Sequence, residues 1–187
     1  MIVIPVYSFQ YESNPWIHIM PKKMTQCPIA RSLERVGDAW SVLILRDALY
    51  GLTRFDEFEK SLGIAPNILT RRLTSLVEAG MLERHQYSDH AGRFDYRLTE
   101  AGRDFRTVML AFLAWGNRHF ATDGLALVVA DAETGEIAEP QLVDKKSRRA
   151  LSSPAFRVMA GPAANEKLRE RYRSLPGNSA LLEVGNE

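Results

Sequence analysis

The residues best placed to do chemistry lie between Leu62 and Gly80, and the chemistry is recognition of a polyanion. Asn67, Thr70, Arg71 and Thr74 recur at helical spacing, all can hydrogen-bond, none is acidic, and Glu78 arrives only at the far end. Arginine suits a guanine edge and asparagine an adenine edge, while threonine meets either a base or a phosphate. The alternative is an ordinary solvated helix face. Arg72 shares a helical side with Ile68 and Leu76, so a structural ion pair competes with a phosphate contact. His90 and Arg93 stand in or beside a later turn, SDHAG, where they could follow a minor groove or a phosphate track. An exposed hairpin charge is the plainer account there. Arg54, at the start of the preceding helix, is a candidate phosphate clamp.

The remaining chemistry is sparse. Cys27, the only cysteine, precedes a helix start, where the dipole and free N–H groups stabilise a thiolate, with Arg31 one turn on. Oxidation or alkylation there would be a sensing device, and a small packing cysteine is the alternative. Any disulfide would be intermolecular or to a small thiol. No HExxH, paired CxxC, P-loop or GxSxG is present, so no catalytic role is expected. Ser88, Asp89 and His90 adjoin in one turn, whereas triad members meet through folding. His18, His85, His90 and His119 lack metal-ligand spacing, and no metal or cofactor is expected. Lys145, Lys146, Arg148 and Arg149 form a basic knot that could touch flanking DNA but fits a solvated turn.

Composition bounds these readings. The 187 residues are 45% apolar and 25% charged, which places the chain among globular proteins with one core and a small appendage. The net charge of +1 does not by itself point to nucleic acid, so DNA binding must rest on local charge placement. No run approaches the roughly 18 apolar residues of a membrane span. The first residues lack the basic and apolar regions of a signal peptide, and one cysteine fits a reducing cytoplasm.

Several elements must position the polar face. Residues 1–25, broken by Pro5, Pro15 and Pro21, read as an arm with little order unless packed on a partner, or as an extension ahead of a start at Met20 or Met24. Pro28 opens a first helix that Gly37 closes. Asp38 caps a second, buried through Trp40, Leu43, Ile44 and Ala48. Thr53 is expected to cap a third, with Phe55, Phe58 and Leu62 along one stripe. Gly63 can take the left-handed conformation that ends it. Ile64 clamps the turn, Pro66 fits the first turn of the next helix, and Leu69, Leu73, Leu76 and Val77 give that helix a buried face. After Gly80 the period changes to two, and MLERHQY and RFDYRLT form a hairpin. Thr99 then caps one long helix, whose Phe105, Val108, Met109, Phe112 and Trp115 exceed what a three-helix core can cover. A dimer interface is the natural sink, unless the appendage folds back over them. From about Gly124, LALVVAD, EIAEPQLVD and FRVMAGP read as three short strands, followed by a helix in ANEKLRERYRSL and a frayed tail.

Helix, turn, helix and hairpin together make an α+β, mainly α, winged helix-turn-helix. The division expected is an arm over 1–25, a DNA-binding domain over 26–122 and a β-rich appendage over 123–187. Across residues 26–120 the chain resembles the HxlR family of MarR-like bacterial regulators. The resemblance rests on Cys27-Pro28-Ile29, Gly37-Asp38-Ala39-Trp40, Arg54-Phe55, Gly63-Ile64 before Leu69-x-x-Arg72-Leu73, Gly80-x-Leu82-x-Arg84 and Tyr96-x-Leu98-Thr99-x-x-Gly102. It implies a homodimer on double-stranded DNA at a pseudo-palindromic operator, most often as a repressor. It also implies, for some members, electrophile or oxidant sensing at the cysteine beside the first helix, or another small-molecule signal. One departure is Ala65, where the family usually has a capping hydroxyl. The competing class is a winged helix used for protein–protein contact, docking through its appendage.

Overall fold

The structure is a computed structural model in which residues 26–86 and 94–174 are described. The arm over 1–25, the wing turn with His90 and Arg93, and the tail beyond residue 174 lie outside the described residues.

Four helices follow one another with short connections: α1 (Pro28–Val36), α2 (Ala39–Leu49), α3 (Phe55–Leu62) and α4 (Pro66–Glu78). The signals that start and stop them are local. The Asp38 carboxylate accepts from the Ser41 N–H at 3.1 Å, closing the α2 N-terminus. Gly63 ends α3 at φ 58°, a conformation that costs glycine no Cβ clash. Pro66 then begins α4 where its missing N–H has no intrahelical partner to lose.

The core gathers where these helices meet. Ile44 and Leu45 from α2, Phe58 from α3 and Leu69, Leu73 and Leu76 from α4 are fully buried, each contributing about 1.5–3 kcal/mol of apolar transfer. Trp40 and Leu43 are only half-buried, and Leu45 takes the deep position instead. Two polar side chains, Ser41 and Asp47, are buried beside this core. Asp47 is buried, with Ser61 Oγ donating to one carboxylate oxygen at 2.7 Å and Arg46 Nε to the other at 2.8 Å. That arrangement meets the requirement that a buried charge be paired and ties α2 to α3.

The wing is antiparallel, β1 (Leu82–Gln86) against β2 (Phe94–Leu98), with Leu82 opposite Leu98 and Gln86 opposite Phe94. Its third edge corrects the expected role of Thr53. The Thr53 carbonyl accepts from the Tyr96 N–H at 2.7 Å and Arg54 bridges to Asp95, so this segment pairs with β2. The cap of α3 is therefore Arg54, and Glu57 reaches back to accept from both the Thr53 and Arg54 N–H groups. Those two backbone donors hold the Glu57 carboxyl below its ordinary range. Its contribution to stability is present at neutral pH and is lost as the pH falls through that depressed value.

Thr99 caps as expected, accepting from the Gly102 N–H at 3.1 Å, but the helix after it is divided into α5 (Glu100–Asp104) and α6 (Arg106–Phe120). The break falls at Phe105, which packs against the core. Beyond α6, β3 (Val129–Ala130) pairs with β4 (Ile137–Ala138) across the Asp131–Gly135 turn, and Val143 bridges to Ala150 around the basic knot. FRVMAGP forms no strand: Val158 and Met159 stand exposed without a ladder partner. The chain closes with α7 (Glu166–Arg173), capped by Asn165.

Candidate nucleic-acid interface

The buried stripe of α4 fixes what the helix turns outward. With Leu69, Leu73 and Leu76 in the core, Asn67, Thr70, Arg71 and Thr74 all lie exposed. Arg71 has no carboxylate partner among the described residues, so its whole guanidinium fork is available. The threonines are less simple donors than their type suggests. Thr70 Oγ1 donates to the Pro66 carbonyl at 2.8 Å and Thr74 Oγ1 to the Thr70 carbonyl at 2.9 Å. Their hydroxyl protons are spent on the helix, which leaves methyl groups and oxygen lone pairs for an incoming ligand. Asn67 also turns inward in part, its Oδ1 accepting from the Ile68 N–H at 2.9 Å while its amide N–H₂ stays free to donate.

That asparagine contact compensates for the departure at Ala65. The N-cap backbone is extended, at φ −63° and ψ 137°, and no side chain caps it. Ala65→Ser is expected to stabilise the protein by about 0.5–1 kcal/mol, read as a rise in the denaturation midpoint. It would also release the Asn67 carbonyl from the Ile68 N–H.

Arg72 takes the structural alternative. Its Nε lies 3.1 Å from Asp38 Oδ1, with side-chain exposures of 28% and 14%. One carboxylate thus caps α2 and faces α4 through Arg72 Nε, an ion pair by distance in which Nε makes no directed hydrogen bond. Arg54 is similarly engaged: its Nε and terminal nitrogen reach the two Asp56 oxygens at 3.1 and 2.7 Å. A phosphate there would compete with a bidentate carboxylate, which weakens the clamp reading.

The wing supplies a residue that spacing did not single out. Arg84 on β1 lays its guanidinium over the Phe94 ring, 4.1 Å from the centroid. Such stacking orients an exposed cation at little entropic cost. The signal lay in the hairpin register: Arg84 pairs with Tyr96 and Phe94 with Gln86, two positions along, so the two side chains share one face of the hairpin. Beside it, Arg97 pairs with Asp95 at 3.2 Å, and His85 Nε2 lies 3.0 Å from a Glu83 carboxylate oxygen.

Cys27 is the N-cap residue of α1, half-buried, and its side chain makes no capping hydrogen bond. The dimer candidates separate. Phe105 is half-buried and packs against its own core. Val108, Phe112 and Trp115 are 44%, 50% and 55% exposed, Met109 is intermediate, and α6 has no buried residue at all. Part of the helix is instead covered by the appendage. Leu110 and Ala114 face Leu142 and Leu151 across a cleft of about 740 Å³, with Arg118 in its lining. No group of metal-ligating side chains gathers, and no helix is long and apolar enough to cross a membrane, among the described residues.

A polar helix held outward after a tight turn, beside a three-edged wing, defines a winged helix-turn-helix of the MarR-like kind. The sequence profile of the HxlR-like helix-turn-helix family matches residues 35–123. The HTH-type transcriptional regulator Rv3095 of Mycobacterium tuberculosis, itself uncharacterised, is 35% identical over 141 residues, 75% of this chain and 89% of that one. The structure PA1374 of Pseudomonas aeruginosa, provisionally described as a transcription factor, is 52% identical with a TM-score of 0.59, covering 78% of this chain and 99% of that one. PA1607, described in the same way, is 38% identical with a TM-score of 0.66, over 74% and 98% respectively. The chain belongs to the HxlR-like family of DNA-binding helix-turn-helix transcriptional regulators.

Proposed function

We propose that the protein acts as a homodimeric repressor, each subunit presenting Asn67, Thr70, Arg71 and Thr74 to a major groove of a pseudo-palindromic operator. The observation that carries this reading is the exposed face of Asn67, Thr70, Arg71 and Thr74 on α4, where Arg71 has no carboxylate partner among the described residues. Arg84 and the wing would lie along the adjacent backbone, with His90 and Arg93 as further contacts, and Asn67 would donate to a base or phosphate. The half-sites would be about 10 bp apart, or a small multiple of that, as two-fold pairing of such helices requires. On this reading residues 26–122 are the DNA-binding domain and 123–187 an appendage with a separate task. Repression is steric: the dimer occupies a promoter, and a signal alters the spacing of its two recognition helices.

Selection of bound duplexes from a random pool tests the reading. An enriched inverted repeat, with affinity falling steeply as salt rises, is the expected result. Recovery of no common sequence, with affinity indifferent to salt, would sink it.

Two details follow from the site. If the threonines meet thymine methyls, Thr70→Val should leave operator affinity nearly unchanged, while Thr70→Ser, which deletes the methyl, should lower it by about 1 kcal/mol. Competition titrations against the selected duplex separate these outcomes. For the signal, a thiol-reactive electrophile acting at Cys27 is one route and a small molecule in the α6–appendage cleft another. Cys27→Ser with and without diamide decides the first. Unchanged release of DNA would leave Cys27 a packing residue.

A further inference from the structure

Helix α6 carries a second stripe beside Val108 and Phe112. Thr107, Leu110, Ala114 and Trp115 recur at helical spacing and form one wall of the cleft of about 740 Å³ between this helix and the appendage. Val129, Leu142 and Leu151 stand in the opposite wall. Polar hooks tie the appendage down. Asn117 Nδ2 donates to the Leu127 carbonyl at 2.8 Å. The Gln26 side chain donates to the Ala163 carbonyl at 3.4 Å and accepts from the Asn165 N–H at 2.9 Å. No residue from 121 to 174 is buried, so the appendage has no core of its own. Small-molecule sites span about 300–1,000 Å³ and combine apolar walls with a few placed polar groups. The cleft has that size and that lining.

We infer that this cleft binds a linear aliphatic carboxylate, its chain lying along α6 and its head on the Arg118 guanidinium. Charge selects the head. Arg118 is the only charged residue in the lining among the described residues, and the other polar groups there, Thr107, Gln141 and Ser152, are neutral. Arg118 is exposed and makes no ion pair or hydrogen bond among the described residues. Glu139 shares with it a smaller adjoining cleft of about 170 Å³, yet the two form no ion pair. A guanidinium fork left open in this way takes both oxygens of a carboxylate. Shape selects the tail. The α6 wall runs from Thr107 to Arg118, about 16 Å of helix rise, which suits an extended chain of about twelve carbons. The cation stands at one end of that wall and Leu110 lies toward the other, so head and tail have separate places. Beside Arg118, the Trp115 ring is set edge-on against Phe120 with centroids 4.9 Å apart, which orders the wall where the chain would begin. A bound chain supplies the apolar contact that the appendage lacks, so occupancy and the order of residues 121–174 are linked. This deepens the small-molecule route proposed above, and rests on it only for the effect on DNA.

Isothermal titration of the full chain with dodecanoate, kept below its micelle concentration, tests the site. Saturable binding of one molecule per subunit is expected, with butyrate and dodecylammonium each at least about tenfold weaker. Arg118→Gln should weaken dodecanoate about tenfold or more, and Ala114→Phe, which fills the cleft, should abolish binding. Both variants should keep the wild-type far-UV circular dichroism spectrum. Binding that dodecylammonium matches, or that Arg118→Gln leaves unchanged, is detergent-like adsorption and overturns the inference, as does the absence of saturable binding. Dodecyl phosphate binding more tightly than dodecanoate would overturn the carboxylate assignment. Release of operator DNA, read separately by fluorescence anisotropy, distinguishes the two levels. Dodecanoate that binds through Arg118 without releasing DNA upholds the site and removes the signalling route.

Discussion

Phe58→Ala should destabilise the protein by about 3–5 kcal/mol, the largest single-site effect expected on its stability. Phe58 is fully buried, and the cluster around it draws on the elements that set α4: Ile44 and Leu45 of α2, Leu69 and Leu73 of α4 itself and Leu82 of β1. Truncation removes the transfer free energy of a ring and leaves a cavity that three helices cannot close without moving α4. Domains of this size hold only about 5–15 kcal/mol in total, so the melting temperature should fall by roughly 15 °C or more. Denaturant titration with circular dichroism measures the change. Tyr50→Ala is the control, since that side chain is 61% exposed and its loss should stay within about 0.5 kcal/mol. A Phe58→Ala protein as stable as wild type would mean that α3 is not the wedge that sets the angle of α4.

The parts of this architecture that were legible from residue order are those whose causes are local. Gly63, Pro66 and the leucine spacing act within one or two turns, so the polar face of α4 follows from the chain itself. What could not be read is what depends on a partner far along the chain. Thr53 has the chemistry of a cap, yet its carbonyl goes to Tyr96, 43 residues on, and Arg54 takes the cap position. The helical wheel placed Arg72 on the correct side of α4, but only the packing of α2 against α4 brings Asp38 within 3.1 Å. Phe105 fits the apolar stripe of a long helix until the core claims it and divides that helix. The C-terminal appendage failed as a three-stranded reading for a related reason. Apolar runs of that length specify strands only where a neighbouring strand is free to pair with them, and FRVMAGP meets none.

Arg71→Ala should leave stability within about 0.5 kcal/mol and weaken binding to the selected operator by about 1–3 kcal/mol if Arg71 reads a base. The two halves of that expectation have one cause. Because Arg71 is exposed and free of any carboxylate among the described residues, its removal strands no partner. The same freedom leaves its fork to a guanine edge or a phosphate. Random-sequence DNA separates these. A base contact costs affinity on the operator alone, whereas a phosphate contact costs the same on both and lowers the salt slope by about one. Arg71→Lys sharpens the comparison: it keeps the charge but loses the bidentate geometry, so random binding should survive while operator binding falls. Arg72→Ala should invert the whole pattern, destabilising the fold by about 1–3 kcal/mol as the Asp38 carboxylate loses its cationic partner and keeps only its Ser41 contacts. The specific DNA complex should then weaken only as far as α4 shifts. If Arg72→Ala reduced DNA binding at unchanged stability while Arg71→Ala did nothing, α4 would have to be turned by one residue against the core. The buried positions of Leu69, Leu73 and Leu76 forbid that rotation.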